Sequence, residues 1–156
     1  FCDYIIGIVF SILIKELSSM DKNQYSEKWQ MRFAFFEQNG APKTPEHKAA
    51  MKVEPYMRRI LLNMNFIAFF FGFIYFFVLG LWRKNLTLFG VGVGVGVVVI
   101  IILEIMESVL SIYIPPAVDM GIKFAFSAIW GTTANYAYYL KEKVNSQSWN
   151  PFEGLF

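Results

Sequence analysis

Two stretches of this chain carry no charged residue over the length of a membrane span, and they limit its fold more tightly than any other feature. Ile60 to Trp82 (ILLNMNFIAFFFGFIYFFVLGLW) contains no Asp, Glu, Lys, Arg or His and lies between Arg58–Arg59 and Arg83–Lys84. At about 1.5 Å rise per residue, a helix of this length matches the hydrocarbon thickness of a bilayer. Its seven Phe, three Ile, four Leu and one Val favour insertion by roughly 5–9 kcal/mol before Asn63 and Asn65 are set against them. A soluble core helix would show a polar stripe, which is missing here. The second stretch, Leu86 to Met106 (LTLFGVGVGVGVVVIIILEIM), has no charge before Glu104.

Gly90, Gly92, Gly94 and Gly96 alternate with valine in that second stretch. They do not form a dinucleotide-binding loop, because the third glycine is at the wrong offset and a valine run follows in place of an amphipathic helix. At 100° per residue, Gly90 and Gly94 share one helix face, and Gly92 and Gly96 share the opposite one. Each pair is a small-xxx-small surface, so the helix is expected to sit between two close neighbours. An isolated Val/Gly strand could not satisfy its backbone in lipid.

A third span is expected at Gly121 to Leu140 (GIKFAFSAIWGTTANYAYYL), with Lys123 near enough to one end to snorkel. Pro115–Pro116 forbids a continuous helix between spans two and three. Trp82, Tyr113, Tyr136, Tyr138 and Tyr139 fall toward span ends, where aromatic rings anchor at the interface. The 156-residue chain is 56% hydrophobic and 17% charged, with one cysteine, which excludes disorder and a disulfide scaffold. The predicted class is therefore an all-α membrane protein with two to three transmembrane helices, a membrane domain over residues 60–140 and a tail over 141–156.

Charge orients the chain but leaves a conflict. Residues 15–59 hold nine Lys and Arg against six Asp and Glu, so the positive-inside rule puts this segment in the cytoplasm. With three crossings, Arg83–Lys84, Lys141 and Lys143 would lie outside. If residues 60–82 were re-entrant or interfacial, every basic cluster except Lys123 would be cytoplasmic. Three embedded segments are the expectation, since the insertion energy is several kcal/mol and the charge rule is a bias; the side of the C-terminus stays open.

The segment 20–59 is expected to be a basic, amphipathic cytoplasmic region. Ser26 to Gly40 (SEKWQMRFAFFEQNG) forms one helix with Ser26 as N-cap and Asn39–Gly40 as its stop. Tyr25, Trp29, Phe33 and Phe36 make an aromatic stripe with Lys28 and Arg32 beside it, expected to lie on lipid headgroups or to dock a partner. Thr44 then caps a short helix with Pro45 at its first position, and Pro55 restarts the chain. Residues 1–19 begin with Phe1, and their apolar run of eleven residues is too short to span. They are expected to be an upstream extension or a truncated remnant, with Met20 as a natural start.

The runs Lys28-Trp29-Gln30-Met31-Arg32-Phe33-Ala34-Phe35-Phe36, Asn63 to Tyr75, Gly80-Leu81-Trp82-Arg83-Lys84 and Ala134-Asn135-Tyr136-Ala137-Tyr138-Tyr139 resemble the small bacterial inner-membrane proteins of the YigF/YigG type, a family of unknown function. The resemblance covers roughly Met20 to Lys143. Phe73 stands where a proline is expected after Gly72, which argues against a kink there. The resemblance implies a bacterial inner-membrane location and supplies no activity, so no catalytic residue carries over.

Chemistry-bearing constellations are sparse. His47 is the only histidine and Cys2 the only cysteine, so zinc sites of the His/Cys type and Ser-His-Asp or Cys-His arrangements lack parts. His47 is expected to be solvated. No enzyme activity, cofactor, metal or nucleic-acid partner is expected. Glu104 and Glu107 share a helix face near the end of span two, and Lys123 enters span three across the Pro-Pro bend; ionisable groups at this depth suggest an ion or small-solute path. Asn63, Asn65 and Asn135 would hydrogen-bond between helices. The expected function is non-enzymatic: association of the glycine faces of span two with a second copy or another membrane complex, with transport through Glu104, Glu107 and Lys123 as the alternative.

Overall fold

The computed structural model describes residues 25–156, so the expected extension over 1–19 lies outside the described residues. Among the described residues six helices follow one another: α1 Glu27–Asn39, α2 Pro45–Val53, α3 Tyr56–Asn63, α4 Phe66–Val78, α5 Trp82–Ser108 and α6 Pro116–Lys143. Among the described residues there is no strand. The local signals in the sequence place most boundaries. Gly40 ends α1 at φ 75°, a conformation open to glycine at little cost. Thr44 Oγ1 accepts from the His47 amide, with Pro45 at the first helical position of α2. Pro116 opens α6 in the same role.

The first apolar stretch departs from expectation. It is not one helix: Met64 and Asn65 are extended and separate α3 from α4. Asn65 Oδ1 accepts from the Ile67 and Ala68 amides and so caps α4. The helix kinks again at Phe71 (φ −122°, ψ 24°) without the proline, where the side chain of Trp130 presses on the bare backbone of Gly72. The 13 residues of α4 reach about 20 Å, short of the roughly 30 Å hydrocarbon core. Both its ends are held by the C-terminal part of α6: the Asn65 amide donates to the Gly131 carbonyl at 2.8 Å, and Lys141 Nζ to the Leu79 carbonyl at 2.9 Å.

The helices form a packed base with one long projection. Ala68, Phe76, Leu79, Leu81, Leu88, Ala134 and Ala137 make one buried cluster where α4 and the start of α5 meet α6. Phe35, Phe36, Met51, Leu62, Tyr136 and Leu140 make a second between α1, α2, α3 and α6. Tyr25 donates to Glu142 at 2.6 Å, and the tail folds back onto the α4–α5 turn. The amphipathic region, the Arg83–Lys84 pair and the tail therefore lie together at one end of the molecule. Beyond it, α5 is almost bare.

By length and composition, Tyr56–Val78 and Trp82–Ser108 are each apolar enough to cross a membrane, the former interrupted at Met64–Asn65. The outer face of α4 exposes Phe70, Phe71, Ile74 and Val78, and α5 leaves its valines and isoleucines about half exposed. A contiguous apolar surface of this kind is foreign to monomers in water.

Candidate functional site

The turn between α4 and α5 is the most elaborate polar site. Gly80 holds φ +70°, a conformation that favours glycine, and Lys141 Nζ packs against it. A cleft opens beside it, lined by Leu81 to Lys84, Lys141 and Ser146 to Ser148. Lys84 is only 2% exposed. Its Nζ donates to Glu153 Oε2 at 2.7 Å, to the Asn150 carbonyl at 3.1 Å and to Ser148 Oγ at 3.4 Å. Ser146 and Ser148 also donate to the Glu153 carboxylate. Burial alone would raise the Glu153 pKa, but these donors outweigh it and hold the carboxyl below its usual range.

Arg83 borders the same cleft. Its Nη1 donates to the Gln147 carbonyl at 3.1 Å, and its guanidinium lies over the Trp82 ring. Its Nε is buried and has no acceptor among the described residues. No side chain caps the N-terminus of α5, and its first residues, Trp82 to Lys84, line the cleft. The arrangement is rich in donors, and such a set recognises an anion.

Next to it, two asparagine knots hold the base. Asn135, 1% exposed, donates to the Leu61 and Leu62 carbonyls at 3.1 and 2.9 Å and accepts from Asn65 Nδ2 at 3.2 Å. It thereby satisfies carbonyls that the end of α3 leaves open. Asn85, fully buried, donates to the Phe73 carbonyl at 2.8 Å and accepts from Trp130 Nε1 at 3.0 Å. Sequence reasoning caught Asn65 and Asn135 but missed Asn85 and Lys84, which lie just before the second apolar run. Four charged or amide residues in the stretch Arg83 to Thr87 and the tail were the available signal, namely Arg83, Lys84, Asn85 and Glu153.

The other expected site residues are placed as follows. Trp29, Arg32, Phe33 and Phe36 are not a free membrane or partner face. Phe33 and Phe36 are both 3% exposed, and the stripe packs on Tyr136, Tyr138 and Tyr139 of α6. Those tyrosines are internal partners in place of interface anchors. Arg32 is buried, with Nε donating to the Leu61 carbonyl at 2.9 Å and its guanidinium 4.7 Å from the Trp29 ring centre. The stripe at helical spacing is real; its covering is protein.

Of the glycines, Gly92 faces Phe126 and Trp130 of α6, with a Cβ placed there 3.7–3.8 Å from their rings. Gly90, Gly94 and Gly96 have nothing within 4 Å of such a Cβ. Among the described residues one of the two expected neighbours is thus α6, and nothing covers the opposite face. Glu104 and Glu107 are exposed near the far end of α5. Lys123 is exposed too and pairs with Asp119 of its own helix at 2.7 Å, so the expected ion path is not gathered into one site within the described residues. No group of three or more His, Cys, Asp or Glu that could hold a metal occurs among them.

His47 overturns the expectation of a solvated side chain. It is 3% exposed, stacked on Phe36 with ring centres 5.8 Å apart and edge-on to Phe35 at 5.1 Å. Its Nδ1 donates to the Gly40 carbonyl at 3.1 Å. Burial lowers its pKa, partly opposed by that hydrogen bond. The neutral form is therefore favoured in the fold, and stability is lost as pH falls below the unfolded value of about 6.5. Thermal unfolding in mild detergent should show a lower Tm at pH 5.5 than at pH 7.5, and His47→Gln should flatten that dependence. A wild-type Tm independent of pH over this interval would contradict the assignment.

A family model described as a protein of unknown function (DUF2628) matches residues 17–143. The Uncharacterized protein YigF of Escherichia coli (strain K12) is 34% identical over 136 residues, covering 84% of this chain and 95% of its own length. The Uncharacterized protein YigF of Salmonella typhimurium (strain LT2) is 34% identical over 130 residues, covering 80% of this chain and 90% of its own. No solved structure matches the chain.

Proposed function

This chain belongs to the DUF2628 family of proteins of unknown function, and we propose that it is a non-enzymatic inner-membrane protein that pairs with a second copy of itself through α5. In this reading α5 crosses the membrane, α6 returns, and α4 lies along the near side with its aromatic face in lipid. The arrangement removes the charge conflict: Arg58, Arg59, Arg83, Lys84, Lys141 and Lys143 fall on one side, which the positive-inside rule makes cytoplasmic. Two crossings then replace three.

The observation that carries the reading is the open glycine face of α5. Each glycine in a helix interior costs about 1 kcal/mol relative to alanine. Gly92 lies in van der Waals range of α6, whereas Gly90 and Gly94 meet nothing among the described residues. A charge-free Gly-x-x-x-Gly surface is self-complementary and allows two backbones to approach closely. The lone histidine serves packing, and the acidic pair on α5 is distant in sequence and unpaired with Lys123, which gives the transport alternative no support of its own.

A bacterial two-hybrid assay with reporter halves on the C-terminus tests both parts, since the halves complement only in the cytoplasm. Wild type should give a signal, and Gly90→Leu with Gly94→Leu should reduce it at least fivefold while expression is kept. A silent wild type, or a signal indifferent to the double substitution, would reject the pairing.

A further inference from the structure

We propose that the cleft at the α4–α5 turn binds the phosphate group of an anionic phospholipid headgroup, and that Glu153 of the C-terminal tail fills the site when no such lipid is bound. The donors come from separate parts of the fold and converge. Lys84 is almost wholly buried and its charge is matched at 2.7 Å by Glu153. Ser146 and Ser148 hydroxyls point at the same carboxylate. An ammonium and two hydroxyls around one pair of oxygens would serve a phosphate equally well.

Two further groups are left over once Glu153 is in place. Arg83 Nε is a buried donor without an acceptor among the described residues, although its Nη1 is engaged by Gln147. The N-terminus of α5, the positive end of a 27-residue helix, has no side-chain cap. A phosphate diester, like a carboxylate, carries one negative charge on two terminal oxygens, but its tetrahedral phosphorus spreads them wider and adds ester oxygens, so the larger anion can reach donors that Glu153 leaves unused. Lys141 Nζ completes the lining, itself held by the Leu79 carbonyl and Glu142.

Position selects a lipid over a soluble phosphate. The cleft lies at the start of α5, whose apolar run is long enough to cross a membrane, beside Trp82 and Trp149, whose rings meet edge to face at 5.5 Å and remain about half exposed. Exposed tryptophans at the end of such a helix sit at headgroup level, where anionic lipids concentrate around Lys and Arg. The tail then acts as a latch: Glu153 leaves Lys84 when a headgroup phosphate takes its place.

The inference rests on the membrane reading above. Its test uses the full chain in phosphatidylcholine nanodiscs with increasing phosphatidylglycerol, scored by lipid retention in native mass spectrometry and by hydrogen exchange of residues 149–156, which lie beyond the serines of the site. Wild type should retain phosphatidylglycerol over phosphatidylcholine, and tail exchange should rise as it binds. Glu153→Gln should bind phosphatidylglycerol at least threefold more tightly and Arg83→Gln at least threefold more weakly, with thermal melts confirming that both fold. Equal retention of the two lipids, or no gain from Glu153→Gln, would overturn the site. Tail release by inorganic phosphate alone, in neutral nanodiscs, would overturn the lipid assignment. Stable incorporation into neutral nanodiscs is scored separately, so the site can fail while the membrane reading stands.

Discussion

Replacing Asn135 with leucine is expected to destabilise the fold by about 3 kcal/mol, although the two side chains have similar volume. The substitution removes hydrogen bonds to the Leu61 and Leu62 carbonyls and to Asn65. The Leu61 carbonyl keeps the Arg32 Nε donor, but the Leu62 carbonyl at the end of α3 and the Asn65 side-chain amide both lose their partner. A buried polar group left without a partner costs about 1–3 kcal/mol, and here more than one is orphaned at once. Asn65→Ala should show strong coupling to Asn135→Ala in a double-mutant cycle, since the two share one network. Equilibrium unfolding in detergent checks this; a loss under about 1 kcal/mol for Asn135→Leu, or additive single effects, would mean that the knot does not hold the broken helix.

Gly72→Ala should be the next most damaging change, at about 1–3 kcal/mol for one methyl group. A Cβ at position 72 would lie 2.5 Å from Trp130 Cγ and 2.6 Å from Trp130 Cβ. Those atoms are close to the α6 backbone, so a rotamer change cannot relieve the clash and α4 must move off α6. The displaced indole would lose its bond to Asn85, which near-ultraviolet circular dichroism would register as a change in the tryptophan signal. Gly121→Ala is the control: a Cβ there meets nothing among the described residues, and helix propensity predicts a gain of about 0.5–1 kcal/mol. If both alanines act alike in an unfolding titration, the close α4–α6 contact is wrong.

The contrast among the glycines shows how far the sequence could be read. Spacing identified Gly92 and Gly90 as lying on opposite faces, and the fold puts α6 on one of them. Nothing in the spacing marked Gly72, because a glycine in an apolar run has the same local signature whether a tryptophan or a lipid tail lies against it. Asn65 was legible as a polar group needing a partner, but its use as a helix cap depends on the chain breaking at Met64, which a continuous apolar run conceals. The break is tolerated because Asn135 and Gly131, some seventy residues away, satisfy the exposed backbone.

The aromatic stripe of α1 and His47 failed for a related reason. Amphipathic periodicity reports that one face avoids water and is silent on what covers it; a headgroup layer and the tyrosines of α6 are both adequate. The same ambiguity affected Tyr136, Tyr138 and Tyr139, whose position near the end of an apolar helix suits an interface equally well. Lys84 was legible as a flanking charge and not as a buried one, since its partner Glu153 lies at the far end of the chain.

By itself, the sequence determined the helical content, the cap at Thr44 with Pro45 after it, the break at Pro115–Pro116, the presence of a long apolar helix within α5 and the family, because these depend on neighbours within a few residues or on residue identity alone. Only the tertiary structure decided that the first apolar stretch is two short helices, that the amphipathic region and the tail share one end, and that α5 keeps one glycine face open. The physical reason is that apolar surface is generic while polar satisfaction is specific. A run of phenylalanines is content in lipid or in protein, but two extended residues, a buried lysine and the open carbonyls of a helix end need particular partners, and those are brought to them by the fold.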